Sequence, residues 1–142
     1  MTRGIRIDHV GVTVPDIDAA TAFFVAAFDA VVLYDMRCRT EAPNSSPEAH
    51  RYLGIPPTMA QGAMRMLALP EGPGLELFEY LGPDQHGAAH PSDLGWQHLA
   101  IDADDLDETL ARLEAAGGTR NSAPRDLRGL DAGHAHRQNG RR

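Results

Sequence analysis

Two histidines stand at equivalent places in two similar stretches of the chain. His9 lies in Ile7-Asp8-His9-Val10-Gly11-Val12, and His98 lies in Trp96-Gln97-His98-Leu99-Ala100-Ile101. Each histidine is followed, seven residues later, by an Asp-x-Asp and an amphipathic helical pattern. Neutral imidazole is a common ligand of divalent first-row metals. The repeated position therefore predicts a metal site shared by the two units.

A carboxylate in a third stretch extends this set. Residues 74–81 have the composition of a strand, in which alternate side chains share a face. Glu76 would then lie beside Phe78 and Tyr80, where a carboxylate is costly unless it is paired or bound to a metal. Glu79 faces the other way and is expected to be a charge at solvent or at an interface. Glu76 is therefore the third candidate ligand.

The helices and strands that must carry these side chains are predicted from the spacing of apolar residues and from the residues that begin or end each element. A strand signature ends at Pro15, Asp16 is a good N-cap, and apolar residues then recur at helical spacing on one face. A long loop or lid with a weak helical pattern precedes the last strands, which a Gly-Pro-Gly turn joins. The predicted strands are residues 5–14, 30–36, 63–69 and 74–81, the helix follows Asp16, and the loop is 40–62.

A shift of 89 positions superimposes the second unit on the first: His9 matches His98, and Asp16 matches Asp105. Such self-similarity is the signature of an internal repeat. It divides the chain into a first unit at 1–81, a linker at 82–94, the start of a second unit at 95–118, and an atypical tail at 119–142. The tail is too polar to bury much surface and is expected to be disordered. A shifted reading frame that removed the native final strands is the alternative explanation.

The bulk composition limits the classes of function. The chain has 142 residues and a formal net charge of −7, which argues against nucleic acid as the main partner. Its single cysteine cannot form an intrachain disulfide and fits a reducing cytoplasm. No apolar run has the roughly 18 residues of a membrane span. We therefore expect a cytoplasmic protein whose partner is a small molecule.

Four short motifs resemble the vicinal oxygen chelate superfamily, which includes glyoxalase I, methylmalonyl-CoA epimerase, extradiol dioxygenases and bleomycin-resistance proteins. The resemblance covers about residues 5–118 and is carried by Ile7-Asp8-His9-Val10-Gly11, Val14-Pro15-Asp16, Leu75-Glu76-Leu77 and Gln97-His98-Leu99-Ala100. It implies an α+β fold of paired βαβββ modules that form a cup-shaped mixed sheet, here with the second module incomplete at its C-terminus. The 1–81 unit is then the first module.

In such enzymes the first strand of each module gives one metal ligand, which corresponds here to His9 and His98. The last strand gives a carboxylate or amide, which corresponds to Glu76. The resemblance thus implies a divalent ion (Zn, Ni, Co, Mn, Mg or Fe) held by His9, Glu76 and His98. The second module should bring a fourth ligand, yet no Leu-Glu-Leu-like segment follows Gly118. Three ligands with open positions, strands from a partner chain, or His134 and His136 in the tail are the alternatives.

The function implied by the resemblance is a metal-dependent isomerase, epimerase or lyase. It would act on a small substrate with vicinal oxygens through a metal-stabilised enolate, with Glu76 as a candidate base. The missing fourth ligand leaves three alternatives open: a non-catalytic small-molecule (antibiotic) binding protein, an Fe(II) ring-cleaving dioxygenase, and an inactive remnant. An incomplete module would expose sheet edges and apolar surface, which predicts a homodimer.

Overall fold

The computed structural model describes residues 7–96 and 98–124. The predictions that concern residues 1–6, Gln97 and 125–142, including His134 and His136, lie outside that part of the chain. Within it, the elements run in the order β, α, β, α, β, β, α. They are β1 (His9–Thr13), α1 (Ile17–Phe28), β2 (Val31–Arg37), α2 (Pro47–Leu53), β3 (Ala60–Ala68), β4 (Gly74–Leu81) and α3 (Leu106–Ala115).

The four strands form one mixed sheet in the order β1-β4-β3-β2. β1 pairs parallel with β4, whereas β3 pairs antiparallel with both β4 and β2. The parallel pair is possible because α1 and the following strands carry the chain back across the sheet. This arrangement confirms the predicted α+β class and the βαβββ order of the first module, to which the structure adds the short helix α2.

One face of the sheet is covered by α1 and contains the core. Ile17 on the helix and Leu67, Leu75 and Leu77 on the strands are each at most 1% exposed. Ala20 and Phe24 pack against this cluster, as the helical spacing predicts. The Asp16 side chain accepts hydrogen bonds from the amides of Asp18 and Ala19, which makes it the predicted N-cap. The opposite face of the sheet is left open.

The loop predicted at 40–62 contains a helix and the start of a strand. Ser46 caps α2 by accepting a hydrogen bond from Ala49, and Pro47 stands at its first position. The backbones of Asn44 and Gln61 exchange two hydrogen bonds, at 2.9 and 3.0 Å. His50 Nε2 lies 2.9 Å from the carbonyl oxygen of Met59. α2 is therefore held beside the open face by the segment that precedes it and by His50 in its middle.

The second unit keeps its helix but not its first strand. Asp105 caps α3 by accepting a hydrogen bond from Glu108, as Asp16 caps α1. Arg112 fastens α3 to the end of α1 through the carboxylate of Asp29 and the carbonyl of Ala26. Residues 98–101, for which a strand is predicted, have no regular secondary structure. Among the described residues, no strand of the sheet pairs with this segment.

Among the described residues, no helix is both long enough and apolar enough to cross a lipid bilayer.

Candidate active site on the open face

Side chains of all four strands point into a cavity of about 970 Å³ on the open face. On β4, Leu75, Leu77 and Glu79 are buried on the helix side, and the residues between them point into the cavity. Small-molecule sites of this size commonly combine an apolar lining with a few polar groups. The lining here comes from the sheet and from α2: Gly11, Thr13, Met36, Arg37, Asn44, Ser46, Glu48, Ala49, Tyr52, Leu53, Gln61, Met64, Glu76, Phe78 and Tyr80.

The pairing of β1 with β4 brings His9 and Glu76 together. His9 lies opposite Gly74, and its Nε2 is 3.3 Å from Oε2 of Glu76. A β-carbon on Gly74 would lie 3.1 Å from Met66 Sδ and 3.4 Å from the β-carbon of His9. Glycine at this position therefore leaves room for the imidazole beside β4. The Glu76 side chain is 14% exposed and that of His9 is 41% exposed.

Asp8 orients the imidazole. His9 Nδ1 donates a hydrogen bond of 3.0 Å to Oδ2 of Asp8, because a carboxylate has no proton to give. That hydrogen bond raises the pKa of His9 above its ordinary value, and the negative charge of Glu76 raises it further, while desolvation opposes both. The Nε2 atom is thereby directed at Glu76. Metal-bound histidines commonly have such a carboxylate on the second ring nitrogen.

This donor pair fits two positions around a divalent cation. An imidazole nitrogen and a carboxylate oxygen 3.3 Å apart can both contact one ion at metal–ligand distances of about 2.1 Å. No group of three or more His, Cys, Asp or Glu side chains suited to a metal occurs within residues 7–96 and 98–124. The described side chains thus supply two of the three predicted ligands in one place.

The structure does not bring His98 to this pair. His98 is exposed and lies in an irregular segment. Leu99 and Ile101 of the same segment line a separate cavity beside α1 and the β3–β4 turn. β1 lies at the edge of the sheet and pairs with β4 on one side only. A strand formed by residues 96–101 would pair on its other side. Without that pairing, the histidine of the second unit has no fixed position beside His9.

Glu79 is not the solvent or interface charge that its sequence predicts. It is 4% exposed, and its Oε2 accepts a 2.8 Å hydrogen bond from the amide of Ile17 at the start of α1. Its Oε1 lies 3.4 Å from Nε of Arg39. The helix N-terminus and the guanidinium together compensate the buried charge. Strand alternation identifies the face correctly, but it does not show that a helix N-terminus lies on that face.

The polar end of the cavity is formed by residues that the sequence patterns do not identify. Gln61 on β3 lies opposite Tyr80 on β4, and both line the cavity. The Phe78 and Tyr80 rings are nearly parallel, with centroids 5.7 Å apart. Burial raises the pKa of Tyr80, and the charge of Glu76 raises it further, so its hydroxyl is protonated at neutral pH. Gly62 is the one available signal, since glycine inside a strand often marks a bulge.

Comparisons with known proteins agree with this architecture. The model of the Glyoxalase/Bleomycin resistance protein/Dioxygenase superfamily matches residues 6–130. A 2-epi-5-epi-valiolone epimerase from an Actinomyces species is 35% identical over 117 residues, which are 82% of this chain and 61% of that protein. The chain therefore spans about three fifths of that relative's length. The crystal structure of a glyoxalase family protein from Bacillus cereus has a TM-score of 0.62 at 23% identity. The match covers 82% of this chain and 74% of the Bacillus cereus chain, and it shows that the two proteins share a fold.

Proposed function

Because this chain belongs to the glyoxalase/bleomycin resistance/dioxygenase superfamily, we propose that it is an epimerase of small ketones. The observation that carries the proposal is the His9–Glu76 pair, 3.3 Å apart at the edge of an open cavity. The similarity to a 2-epi-5-epi-valiolone epimerase supports the same class of reaction. The substrate would be a small ketone with a neighbouring oxygen, bound on the open face of the sheet.

The chemistry begins with a proton on the carbon next to the carbonyl. Glu76, on the rigid strand β4, accepts this proton as a general base. The electron pair of the broken C–H bond moves into the carbonyl, whose oxygen becomes negative. Water then gives a proton to the opposite face of the same carbon, the carbonyl re-forms as the electron pair returns from the oxygen, and Glu76 releases its proton to solvent, which leaves the epimer. His9 Nε2, oriented by Asp8, lies 3.3 Å from Oε2 of Glu76 and pairs with this carboxylate.

We further propose that His9 and Glu76 hold a divalent metal, with His98 as the third ligand. A bound cation would stabilise the negative charge that develops on the substrate oxygens. His98 would reach this position if residues 96–101 paired with the free edge of β1. The orientation of His9 by Asp8 supports the pair as metal ligands.

The reaction is tested by proton exchange. Purified protein is incubated in D₂O with 2-epi-5-epi-valiolone, and proton NMR follows both deuterium incorporation next to the carbonyl and the appearance of an epimer. Exchange and epimer formation at the same site are expected. Saturable binding of the ketone without exchange would contradict the epimerase proposal and favour the non-catalytic binding alternative.

The metal ligands are tested by elemental analysis of protein purified without chelator. The wild type should retain about one divalent ion per site, and His98→Ala should lose it. His86→Ala is the matched control, because His86 is an exposed histidine in the predicted linker. Full metal occupancy in His98→Ala would contradict the assignment of His98 but leave the proton-exchange test unaffected.

A homodimer and a cytoplasmic location complete the proposal. β2 is an edge strand, and apolar side chains are exposed along it: Val31 at 60%, Leu33 at 55% and Met36 at 68%. An edge of this kind is a template for association with another chain unless it is covered. These exposed side chains support a dimer in which a second copy covers β2.

A further inference from the structure

A bulge in β3 turns Gln61 toward the cavity. Strict alternation would place Gln61 on the helix side with Ala63 and Arg65. In the observed register, Gln61 pairs with Tyr80 and Ala63 pairs with Glu79. Two residues of β3 are thus passed for one residue of β4, and Gly62 is the extra residue. One additional residue reverses the face of everything before it. Gln61 consequently shares the open face with its partner Tyr80.

The bulge depends on the small size of Gly62. A β-carbon there would lie 3.2 Å from the Leu81 side chain and 3.3 Å from the carbonyl oxygen of Glu79. Bulges of this kind are frequent next to active sites, where they redirect a side chain.

The Gln61 side chain makes only a weak hydrogen bond to the described protein groups. The residue is 8% exposed and lines the cavity. Its Nε2 lies 3.6 Å from the Met64 sulfur, which is a weak acceptor, and no described residue donates a hydrogen bond to its Oε1. A buried amide normally has stronger partners. Both its donor and its acceptor are thus available to a molecule in the cavity.

Tyr80 adds a second polar group at the same end. Its ring stacks on Phe78, and its hydroxyl makes no hydrogen bond to another residue in the described part of the chain. Tyr80 lies four residues beyond Glu76, about 13 Å along the strand at 3.3 Å per residue. The polar end is therefore separated from the His9–Glu76 pair, and the aromatic ring of Phe78 lies between them.

The charges in the cavity argue against an anionic ligand. Among the described lining residues, Arg37 is the one side chain with a full positive charge, whereas Glu48 and Glu76 are carboxylates. Its Nη1 donates to the carbonyl of Ala42 and lies 3.9 Å from Glu41. Phosphate recognition calls for guanidinium or amide donors directed at the oxygens. The cavity lining therefore favours an uncharged, hydroxyl-bearing ligand.

We propose that Gln61 and Tyr80 form a hydroxyl-binding subsite that selects an uncharged, polyhydroxylated ring as the substrate. The amide and the phenol contact hydroxyls at one end of the ring, and Phe78 contacts its apolar C–H face. The reacting carbonyl lies at the other end, beside Glu76. The inference rests on the proposed function for that orientation, whereas the recognition of hydroxyls depends only on the cavity.

The test uses myo-inositol, a ring that carries hydroxyls and has no carbonyl to react. Titration into ¹⁵N-labelled protein should shift the side-chain amide signals of Gln61, which the Gln61→Met spectrum identifies by their absence. Gln61→Met should weaken binding about tenfold, the effect of one or two neutral hydrogen bonds. Tyr80→Phe, which removes a single oxygen, should weaken it about three- to tenfold. Gln85→Met is the matched control, since Gln85 is exposed outside the cavity.

Two results would overturn the subsite. The first is wild-type protein that does not bind myo-inositol at tens of millimolar; the second is Gln61→Met and Tyr80→Phe binding it as tightly as Gln85→Met does. If Gln61→Met unfolds, Tyr80→Phe alone decides between these outcomes. Inositol binding with no proton exchange on the ketone refutes the epimerase and leaves the subsite standing. Exchange without inositol binding refutes the subsite alone.

Discussion

Replacement of Glu79 by leucine should destabilise the protein by about 3 kcal/mol. Glu79 is buried and accepts a charge-assisted hydrogen bond of 2.8 Å from the Ile17 amide. The loss of such a bond costs about 1.5–3 kcal/mol. The loss of a carboxylate at a helix N-terminus adds about 0.3–1 kcal/mol. Glu79→Gln keeps an acceptor for Ile17 and loses only the charge, so it should cost about 1 kcal/mol.

Urea unfolding followed by circular dichroism measures this difference. With an m-value of about 2 kcal/mol/M, Glu79→Leu should lower the urea midpoint by about 1.5 M and Glu79→Gln by about 0.5 M. Glu71→Gln is the control, because Glu71 is exposed in the turn before β4 and should change stability by less than about 0.5 kcal/mol. A Glu79→Leu variant as stable as Glu71→Gln would refute the conclusion that Glu79 ties β4 to α1.

Two further predictions concern acid stability and assembly. Hydrogen bonds from Arg39 and Arg65 lower the pKa of Asp18, and Arg112 lowers that of Asp29. These folded-state pKa values lie below the unfolded value of about 3.9. The paired carboxylates therefore contribute all of their stabilisation to the fold when the pH is well above about 3.9. This stabilisation is lost as the pH falls through the lowered values. The urea concentration at the unfolding midpoint should therefore decrease once the pH is lowered below about 4. A midpoint that does not change between pH 6 and pH 3 would exclude this linkage. Light scattering should give the mass of a dimer, and Leu33→Lys on the exposed β2 edge should shift it toward the monomer; a monomeric wild type contradicts the proposed assembly.

Local sequence patterns predict most of the described first module. Asp16 and Asp105 are both identifiable as N-caps, because capping needs only a polar side chain a few residues from the amides it accepts. The strand at 74–81 is recovered at its observed limits, since its alternation and the flanking glycines are local signals. The same alternation correctly places Glu76 on the face opposite Glu79.

The remaining features depend on contacts between distant segments. The burial of Glu79 is set by the N-terminus of α1, which lies 62 positions earlier in the chain. The orientation of Gln61 is set by one additional residue in β3, and single-residue shifts leave the strand pattern nearly unchanged. The position of His98 depends on whether residues 96–101 gain a strand partner, which the sequence of that stretch does not specify. The ligand set is therefore predicted from sequence less completely than the fold.

The most direct test of the account is the rate of proton exchange in Glu76→Gln. In the D₂O assay with 2-epi-5-epi-valiolone, removal of a general base should slow deuterium incorporation by at least about 100-fold. Glu71→Gln, the same change at an exposed position, should exchange at the wild-type rate. Exchange in Glu76→Gln within about threefold of wild type would contradict the central claim that the carboxylate beside His9 is the catalytic base.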